Sequence, residues 1–386
     1  MSEQLNSGTR TGERTGGPGK LEARTTERVG TGKPAWLALA SRDLYIDVAL
    51  VGALGLLLVI FGIASGGKEF FGSNLINIVD SGSVLGVVTV GEAIVMISGN
   101  LDISVGSNAG LVTAVIAEVM AHTGSSLLLG LVAGVAAGLV TGAFNGFTVA
   151  YLRVNSVIAT LATYSAYLGL ALLVTGGQEV GVVSTILGSL GTGEVGPVPY
   201  LVIVAVVVAG VSVAIMRLAL VAHSVYAVGG SQSASFLAGI RVQRHIFGVY
   251  VVSGLLAAFA GVMLVGQTGT AQPDEGTVGL ELTAITAVLL GGVGLSGGTG
   301  TVLGAVLGVL ALSTLDNGLL LVGVPSFWQE VAIGGLLLVA ILLQDISGHR
   351  ARLRALRGAR RRAAGKPPGR QDHAGRRQAV GAARHG

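Results

Sequence analysis

The sequence of 386 residues contains no cysteine, which excludes a disulfide bond, a thiolate metal site and a cysteine nucleophile. Charge is scarce as well: Asp, Glu, Lys and Arg make up only 11% of the residues, against about a quarter in a soluble domain. Aromatic residues account for 5%. The remainder is apolar or small, with 63 glycines, 51% hydrophobic residues and a mean hydropathy of +0.75. This composition predicts a membrane protein whose glycines let helices approach closely.

Motifs for nucleotide or metal chemistry are also missing. No GxxxxGK[ST] loop occurs, so the chain is not expected to hydrolyse ATP itself. No HExxH or other metal-ligand spacing is present, and we predict neither a catalytic residue nor a metal or cofactor bound by this chain. A membrane-embedded enzyme is therefore disfavoured.

Apolar stretches long enough to cross about 30 Å of hydrocarbon predict an all-α, polytopic membrane protein with about ten transmembrane helices. The eighth stretch is short and flanked by glycine, which predicts a broken or re-entrant helix buried in protein. The predicted spans are 44–64, 75–97, 105–121, 126–150, 156–175, 199–217, 246–266, 280–294, 301–321 and 327–345.

Basic residues are concentrated at the two ends of the chain. Residues 1–42 hold seven Lys and Arg and 350–386 hold twelve, whereas only five lie between. We predict a disordered basic tail over 1–42, a transmembrane domain over 43–346 and a disordered Arg-rich tail over 347–386. Such tails can bind nucleic acid, but beside a membrane domain they favour a role in topology or in binding anionic lipid, and no nucleic-acid partner is predicted.

The positive-inside rule gives the orientation. If both termini are cytoplasmic, four of the internal basic residues fall in cytoplasmic loops, and Lys68 alone falls outside. The loop 176–198 then lies outside, and it carries Glu179 and Glu194 but no basic residue. Ten spans with both ends in the cytoplasm therefore fit the charges. The four cytoplasmic residues are Arg153, Arg217, Arg241 and Arg244.

The cytoplasmic loop 218–245 contains a short segment between glycines. Ser231–Ala238 is bounded by Gly229 and Gly230 on one side and by Gly239 on the other. A short, mildly apolar segment between flexible joints is typical of a helix that lies at the membrane surface.

An ionisable residue inside a span costs free energy on insertion and is therefore a candidate for a functional role. Glu92 lies deepest, where it either lines a polar translocation path or forms a hydrogen bond between packed helices. Asp102 and Ser104 precede the third span, where they are expected either to cap its N-terminus or to contact substrate directly. Further candidates for lining the path, each equally able to join helices by hydrogen bonds, are Asn74, Asn77, Asn108, Thr113, Thr160 and Thr163.

Two segments of the chain are weakly similar to each other. SGNLDISVGS at 98–107 resembles LGGVGLSGGT at 290–299, and both fall at cytoplasmic ends of predicted spans. A second pair, NGF at 145–147 and NGL at 317–319, falls on opposite sides of the membrane. These similarities therefore do not establish a duplication.

Five motifs in order over residues 44–345 resemble the permeases of bacterial sugar ABC importers, the group of the ribose, xylose and arabinose transporters. SGNLDISVGS resembles the TGGIDLSVGS of that family, and AVGGSQSASFLAGIRV at 227–242 resembles its A-x-GGN-x-EAA-R-L-SGI-x-V loop. The other three are NGFTVAYLRVNSVIATLATYSAYLGLALLVTGG at 145–177, SGLLAAFAGVML at 253–264 and AVLLGGVGLSGGTGTVLGAVLG at 287–308.

The resemblance implies that 229–242 docks into a cleft on a separate ATPase subunit. Ser233 stands where the family has an acidic residue and Phe236 where it has arginine, so a more apolar contact is expected. Asn100 replaces a glycine, and Asn155 with Ser156 replaces a proline and its neighbour. The residues assigned to this coupling loop are Gly229, Gly230, Ser233, Ala234, Phe236, Leu237 and Gly239.

The family further implies a multi-pass permease in the bacterial cytoplasmic membrane, which moves a pentose or hexose inward by alternating access. Its implied partners are an ATPase that binds ATP and Mg²⁺, an extracytoplasmic sugar-binding protein and a second permease copy, identical or paralogous. A permease for branched-chain amino acids or nucleosides in the same superfamily is the alternative. An ion-coupled transporter would need inverted repeats and midplane ionisable groups, and neither is clear.

Overall fold

The computed structural model describes residues 35–70, 72–271 and 279–342. The greater part of both predicted tails therefore lies outside the described residues. The first helix already begins at Ala35, ahead of the predicted boundary at position 43.

The described chain is almost entirely helical. Its long helices correspond in order to the predicted apolar stretches, because runs of apolar residues of this length satisfy their backbone groups internally as helices. The helices are α1 Ala35–Ala64, α2 Gly72–Ile97, α3 Val105–His122, α4 Leu127–Ala150, α5 Ser156–Thr175, α6 Thr185–Thr192, α7 Tyr200–Leu218, α8 Leu220–Gly230, α9 Gln232–Leu237, α10 Val242–Thr268, α11 Leu280–Leu290, α12 Val302–Leu321 and α13 Ser326–Leu342.

Eight helices in the described residues are long and apolar enough to cross a membrane. Two more of the predicted spans, α11 and α13, are helical but shorter. At 1.5 Å per residue α11 rises only about 16 Å, and most of its side chains are buried in protein, as expected of a broken segment. The polytopic all-α class is thus confirmed, while the count of ten spans stays a prediction.

Four short strands occur outside the helices. β1 Val180–Gly181 pairs with β4 Thr270–Ala271, and β2 Glu194–Val195 pairs with β3 Val198–Pro199, both antiparallel. The first pair ties the loop after α5 to the end of α10. The predicted outer loop 176–198 is therefore an ordered cover that includes α6 and rests on α10.

Glycine allows close packing between α4 and α10. Gly142 and Gly254 face each other, and a Cβ built on Gly142 would lie 2.9 Å from the Gly254 Cα. The other glycines of α4 contact α3 or α10 in the same manner, so that one face of α4 is free of side chains. The α4 glycines of this face, each four residues from the next, are Gly130, Gly134, Gly138, Gly142 and Gly146.

The two ends of the membrane domain differ in charge. At one end α2, α4, α7 and α11 finish and α3, α5, α10 and α12 begin, and all four internal arginines lie there: Arg153, Arg217, Arg241 and Arg244. We call this the arginine end. Lys68 lies at the opposite end, in the connection between α1 and α2. The positive-inside rule assigns the arginine end to the cytoplasm.

This orientation predicts a labelling pattern. Ser233 is exposed at the arginine end, and Val183 is 83% exposed at the other. Because the chain has no cysteine, Ser233→Cys and Val183→Cys each introduce a single thiol. We expect a membrane-impermeant maleimide to label Val183→Cys in intact cells, and Ser233→Cys only after the membrane is opened. Labelling of Ser233→Cys in intact cells would contradict the orientation.

Candidate functional site

The segment from Gly229 to Gly239 forms a separate short helix at the arginine end. α8 ends at Gly230, and α9 covers Gln232–Leu237. The Ser231 hydroxyl caps α9 by accepting a hydrogen bond from the Ala234 amide at 3.2 Å. Gly239 ends the segment in the left-handed conformation, with φ of +82°, which glycine adopts without strain. The predicted surface helix between glycines is therefore present.

The outer face of α9 is apolar and open. Phe236 is 69% exposed and Leu237 is 85% exposed, and Ser233 and Ala234 are exposed beside them. Ser235, by contrast, is buried and holds the inner face of the helix against the protein. Large apolar side chains that project from a short helix, beyond the membrane spans, are typical of a contact surface for another protein.

A cavity of about 700 Å³ lies beside α9. Phe236 and Leu237 line one side, and the connection between α4 and α5 lines the other. The rim mixes apolar side chains with amides, hydroxyls and one guanidinium group. A partner protein that contacts α9 would therefore lie next to the opening of this cavity. The polar groups that line the cavity are Asn100, Arg153, Asn155, Ser156, Gln232, Ser233 and Gln243.

The end of α8, which leads into α9, packs against two other backbone segments in what we call the glycine junction. The Gly298 amide donates a hydrogen bond of 2.8 Å to the Ile97 carbonyl oxygen, which joins the end of α2 to the loop after α11. Gly229 packs on the same two groups, and a Cβ on it would contact the Ile97 oxygen and lie 2.6 Å from the Gly298 nitrogen. The two weakly similar segments, 98–107 and 290–299, also meet here, since a Cβ on Gly297 would lie 2.5 Å from the Gly99 Cα.

This glycine junction connects the exposed helix to the membrane core. α8 leads from the junction into α9, α2 leads into the most buried part of the molecule, and the loop after α11 leads into α12. Backbone contacts without intervening side chains leave little room for independent movement. Backbone contacts therefore link the chain that leads into α9 to the end of α2 and to the loop after α11.

A buried polar network surrounds Asp102 in the connection between α2 and α3. One carboxylate oxygen accepts hydrogen bonds from the Ser104 hydroxyl at 2.6 Å and the Ser104 amide at 3.1 Å. The other accepts from the Ser253 hydroxyl of α10 at 3.1 Å. Burial raises the pKa of the Asp102 carboxyl, and the hydrogen bonds from Ser104 and Ser253 oppose that rise.

Further members connect this network to α4 and α5. Asn145 donates a hydrogen bond of 2.7 Å to the Ser104 hydroxyl, and the Tyr167 hydroxyl donates to the Asn145 side-chain oxygen at 3.1 Å. The Tyr250 hydroxyl donates to the Leu101 carbonyl oxygen at 2.9 Å. Three helices, α4, α5 and α10, are thus connected around one buried carboxylate in the α2–α3 connection. Polar residues inside spans are the sequence signal for these partners, although Asn145, Tyr167, Tyr250 and Ser253 were not among the predicted site residues.

Glu92 is fully buried and faces the same network. One of its carboxylate oxygens accepts a hydrogen bond from the Asp102 amide at 3.2 Å, while the other has no partner. In this conformation Glu92 joins helix α2 to the α2–α3 connection. Of the two interpretations of Glu92, the hydrogen bond between packed segments is therefore supported for one of its two carboxylate oxygens.

The expected capping role of Ser104 is wrong. Ser104 occupies the position before α3, but its side chain makes no capping hydrogen bond there. The hydroxyl instead donates to the Asp102 carboxylate and accepts from the side-chain amide of Asn145, both of which are buried polar groups that need a partner. Asp102 itself holds the amide that leads into α3.

Five of the six remaining path candidates are buried and form hydrogen bonds within the protein. Asn74 donates to Asn317 of α12 at 2.9 Å, and Asn108 accepts from Thr141 of α4 at 2.7 Å. Thr160 donates to the carbonyl oxygen of Ser156 at 2.8 Å. Thr113 and Thr163 also donate to carbonyl oxygens of their own helices. Asn77 alone of the six is exposed.

The structure shows how α5 begins without the proline that the family motif has at this position. Asn155, in the place of a proline, caps α5 by accepting hydrogen bonds from the amides of Val157 and Ile158. Ser156 accepts a hydrogen bond from the Leu101 amide at 3.3 Å. The start of α5 is therefore fixed by side-chain hydrogen bonds rather than by a proline ring.

Removing the Asp102 carboxylate is expected to destabilise the fold. In Asp102→Ala the buried donors of Ser104 and Ser253 lose their acceptor, and each unsatisfied donor costs about 1–3 kcal/mol. We expect a lower temperature of unfolding for the purified chain in detergent, and a smaller further loss when Ser253→Ala is added. Glu194→Ala, which removes an exposed carboxylate, is the control. Equal stability of the two single variants would contradict the structural role of Asp102.

The fold and the site together define a class of protein. A bundle of membrane-spanning helices with a buried polar interior, and a short exposed helix connected to the core at one end, is the arrangement of a polytopic transport subunit that contacts a soluble partner.

The comparisons agree with this class and identify the family. The family model for the permease component of branched-chain amino acid transport systems matches residues 74–342. The chain therefore belongs to this family of ABC importer permeases. No solved structure gives a significant match.

Three relatives illustrate the similarity. The probable ABC transporter permease protein y4mJ of Sinorhizobium fredii is 35% identical over 79% of this chain and 90% of its own length. The xylose transport system permease protein XylH of Escherichia coli is 30% identical, covering 81% and 95%. The ribose import permease protein RbsC of Bacillus subtilis is 35% identical, covering 70% and 84%.

Proposed function

We propose that this chain is the permease subunit of an importer for a monosaccharide, energised by ATP hydrolysis on a separate ATPase subunit. A binding protein outside the cell delivers the sugar, and two permease copies, identical or paralogous, enclose the path. Closure of the ATPase on ATP moves α9, and alternating access follows at the path between the permeases.

The observation that carries this proposal is the connection from α9 to the glycine junction. An exposed apolar helix is useful to a transporter only if its movement reaches the membrane core. Here Gly229 lies directly against the ends of α2 and the α11–α12 loop. The absence of a phosphate-binding loop from the sequence supports an ATPase on another chain.

Sugar as the substrate is supported by the relatives rather than by a substrate-shaped cavity. The relatives named for xylose and for ribose match over most of their lengths. The buried hydroxyl and amide groups described above satisfy one another within one chain, so the path is proposed to lie between this chain and a second permease copy.

Uptake by cells tests the substrate class. Cells that express the chain with its ATPase and binding protein are expected to accumulate a labelled pentose or hexose. Unlabelled sugar of the same kind should compete, whereas leucine, valine and uridine should not. Competition by a branched-chain amino acid or a nucleoside, with no effect of sugars, would assign the chain to the alternative substrates of its family.

A further inference from the structure

A second cavity lies on the other side of the α10 N-terminus, in a crevice between α7 and α10. Its volume is about 330 Å³, within the range of ligand-binding pockets of roughly 300–1,000 Å³. Both helices pack on α2 and on α8, so the crevice has Ile94 of α2 as its floor. Other residues that line it are Ile215, Met216, Val221, Ala222, Val225, Val249 and Val252.

The crevice is bordered by exposed apolar side chains of candidate spans. α7 is one of the candidate spans, and only a small share of it is buried. The side chains at the opening are apolar and exposed, including Ile215 at 54% and Val252 at 40%. Apart from Ser212, and from Arg244 and His245 at one end, the lining is apolar and offers water no hydrogen-bond partners. A hydrocarbon chain from the surrounding lipid is the occupant that suits these walls.

Positive charge is placed at the cytoplasmic mouth of the crevice. Arg244 and His245 lie in the first turn of α10, and both belong to the lining. The His245 ring is held by a hydrogen bond of 3.0 Å between its Nδ1 and the Arg241 carbonyl oxygen. Among the side chains that the structure describes, the ion pair joins His122 and Glu118, and Arg244 forms none with a carboxylate.

Apolar walls that end in a guanidinium group match the two parts of an anionic phospholipid. The acyl chain fills the crevice, and the phosphate lies at the depth of the membrane interface, where bidentate hydrogen bonds from arginine are strongest. We propose that the crevice between α7 and α10 is a binding site for one anionic phospholipid of the cytoplasmic leaflet, with its phosphate on Arg244.

This site is separate from the ATPase-facing surface. The cavity beside α9 is lined by Val242, Gln243 and Ile246 of α10, whereas the crevice is lined by Arg244, Gly248 and Val252 of the same helix. The two sets lie on different faces of α10. Lipid binding can therefore be measured on the purified chain alone, and its result does not depend on the transport function proposed above.

Gly248 offers a way to block the crevice without disturbing the fold. A Cβ on Gly248 would meet no atom within 4 Å, although the residue lines the crevice. Gly248→Leu therefore fills the space that the acyl chain needs, and leucine is a better helix former than glycine. Arg244→Ala removes the proposed phosphate contact. Arg153→Ala is the matched control, because it removes an exposed arginine at the same end of the molecule.

Native mass spectrometry of the delipidated full chain measures the binding. With dioleoyl phosphatidylglycerol we expect one tightly bound lipid per chain, and at least tenfold weaker binding of dioleoyl phosphatidylcholine. Arg244→Ala and Gly248→Leu should each weaken phosphatidylglycerol binding at least tenfold, whereas Arg153→Ala should match the wild type.

Several results would overturn the proposal. Equal binding of the two lipids would mean that the crevice accepts acyl chains without regard to charge. Equal losses of phosphatidylglycerol binding in Arg153→Ala and Arg244→Ala would mean that the lipid binds through the overall positive charge of the arginine end rather than through Arg244. Full binding by Gly248→Leu would place the lipid elsewhere, and a wild-type chain that retains no lipid would mean that another protein segment covers the crevice.

Discussion

Phe236→Ala is expected to lose the association with the ATPase subunit while the permease still inserts and accumulates normally. Phe236 is 69% exposed on α9, so its removal leaves no cavity inside the permease. In a complex the ring would enter the partner's cleft, and the loss of such an anchor costs at least about 2 kcal/mol, or roughly thirtyfold in affinity. We expect Leu237→Ala, at 85% exposure, to act in the same direction.

The control for this prediction is another exposed phenylalanine. Phe327 is 85% exposed at the opposite end of the molecule, in the first turn of α13. Phe327→Ala should leave co-purification with the ATPase unchanged. The alternative role of Phe236 is insertion into the membrane interface, as in amphipathic surface helices. Co-purification of Phe236→Ala at the wild-type ratio, with uptake intact, would support that alternative and contradict the docking role.

Gly229→Ala is expected to block transport by a different route, without removing the docking surface. The added Cβ would contact the Ile97 oxygen and lie 2.6 Å from the Gly298 nitrogen. Backbone atoms cannot move aside as a flexible side chain can, so the junction must open, at a cost of about 1–3 kcal/mol. We expect uptake to fall at least about tenfold, while the ATPase still co-purifies through Phe236 and Leu237.

The adjacent residue provides the matched control. A Cβ on Gly230 would meet no atom within 4 Å, and both glycines belong to the last turn of α8. Gly230→Ala therefore changes helix propensity and chain flexibility to the same degree as Gly229→Ala. Full uptake is expected for Gly230→Ala. Similar losses in the two variants would show that flexibility of the joint, rather than the close packing of Gly229, is what transport requires.

Local features of the fold were predictable because they depend on neighbours in sequence. The apolar stretches become helices, and the short eighth stretch becomes the buried α11. α8 was missed, since a loop was predicted at 218–245. A signal for it was present: Ala222, Val225 and Val228 recur at helical spacing and are all buried. The four-residue spacing of the α4 glycines was likewise a signal for close packing with another helix.

Contacts between distant segments were not predictable in the same way. The junction joins Ile97, Gly229 and Gly298, and nothing local to any of these residues indicates the other two. The similarity between 98–107 and 290–299 indicated that the two loops were related, but not that they touch. The partners of Asp102 come from three other segments of the chain. Polar residues inside apolar spans are candidates for such partners, but the sequence does not show which of them pair with Asp102.

Two of the residues that the family resemblance places in the coupling loop are exposed on α9. Ser233 and Phe236 lie on the exposed face, as a docking helix requires. The loss of the family's acidic residue and arginine makes this surface apolar. Its partner ATPase is therefore expected to present an apolar cleft.

Proteoliposomes test the central claim most directly, that this permease is energised by a separate ATPase. Vesicles that contain the chain and its ATPase, with the binding protein outside and ATP inside, are expected to accumulate labelled sugar. Vesicles that contain the chain alone should accumulate none, with or without a proton or sodium gradient. Concentration of sugar by the chain alone on an ion gradient would contradict the account.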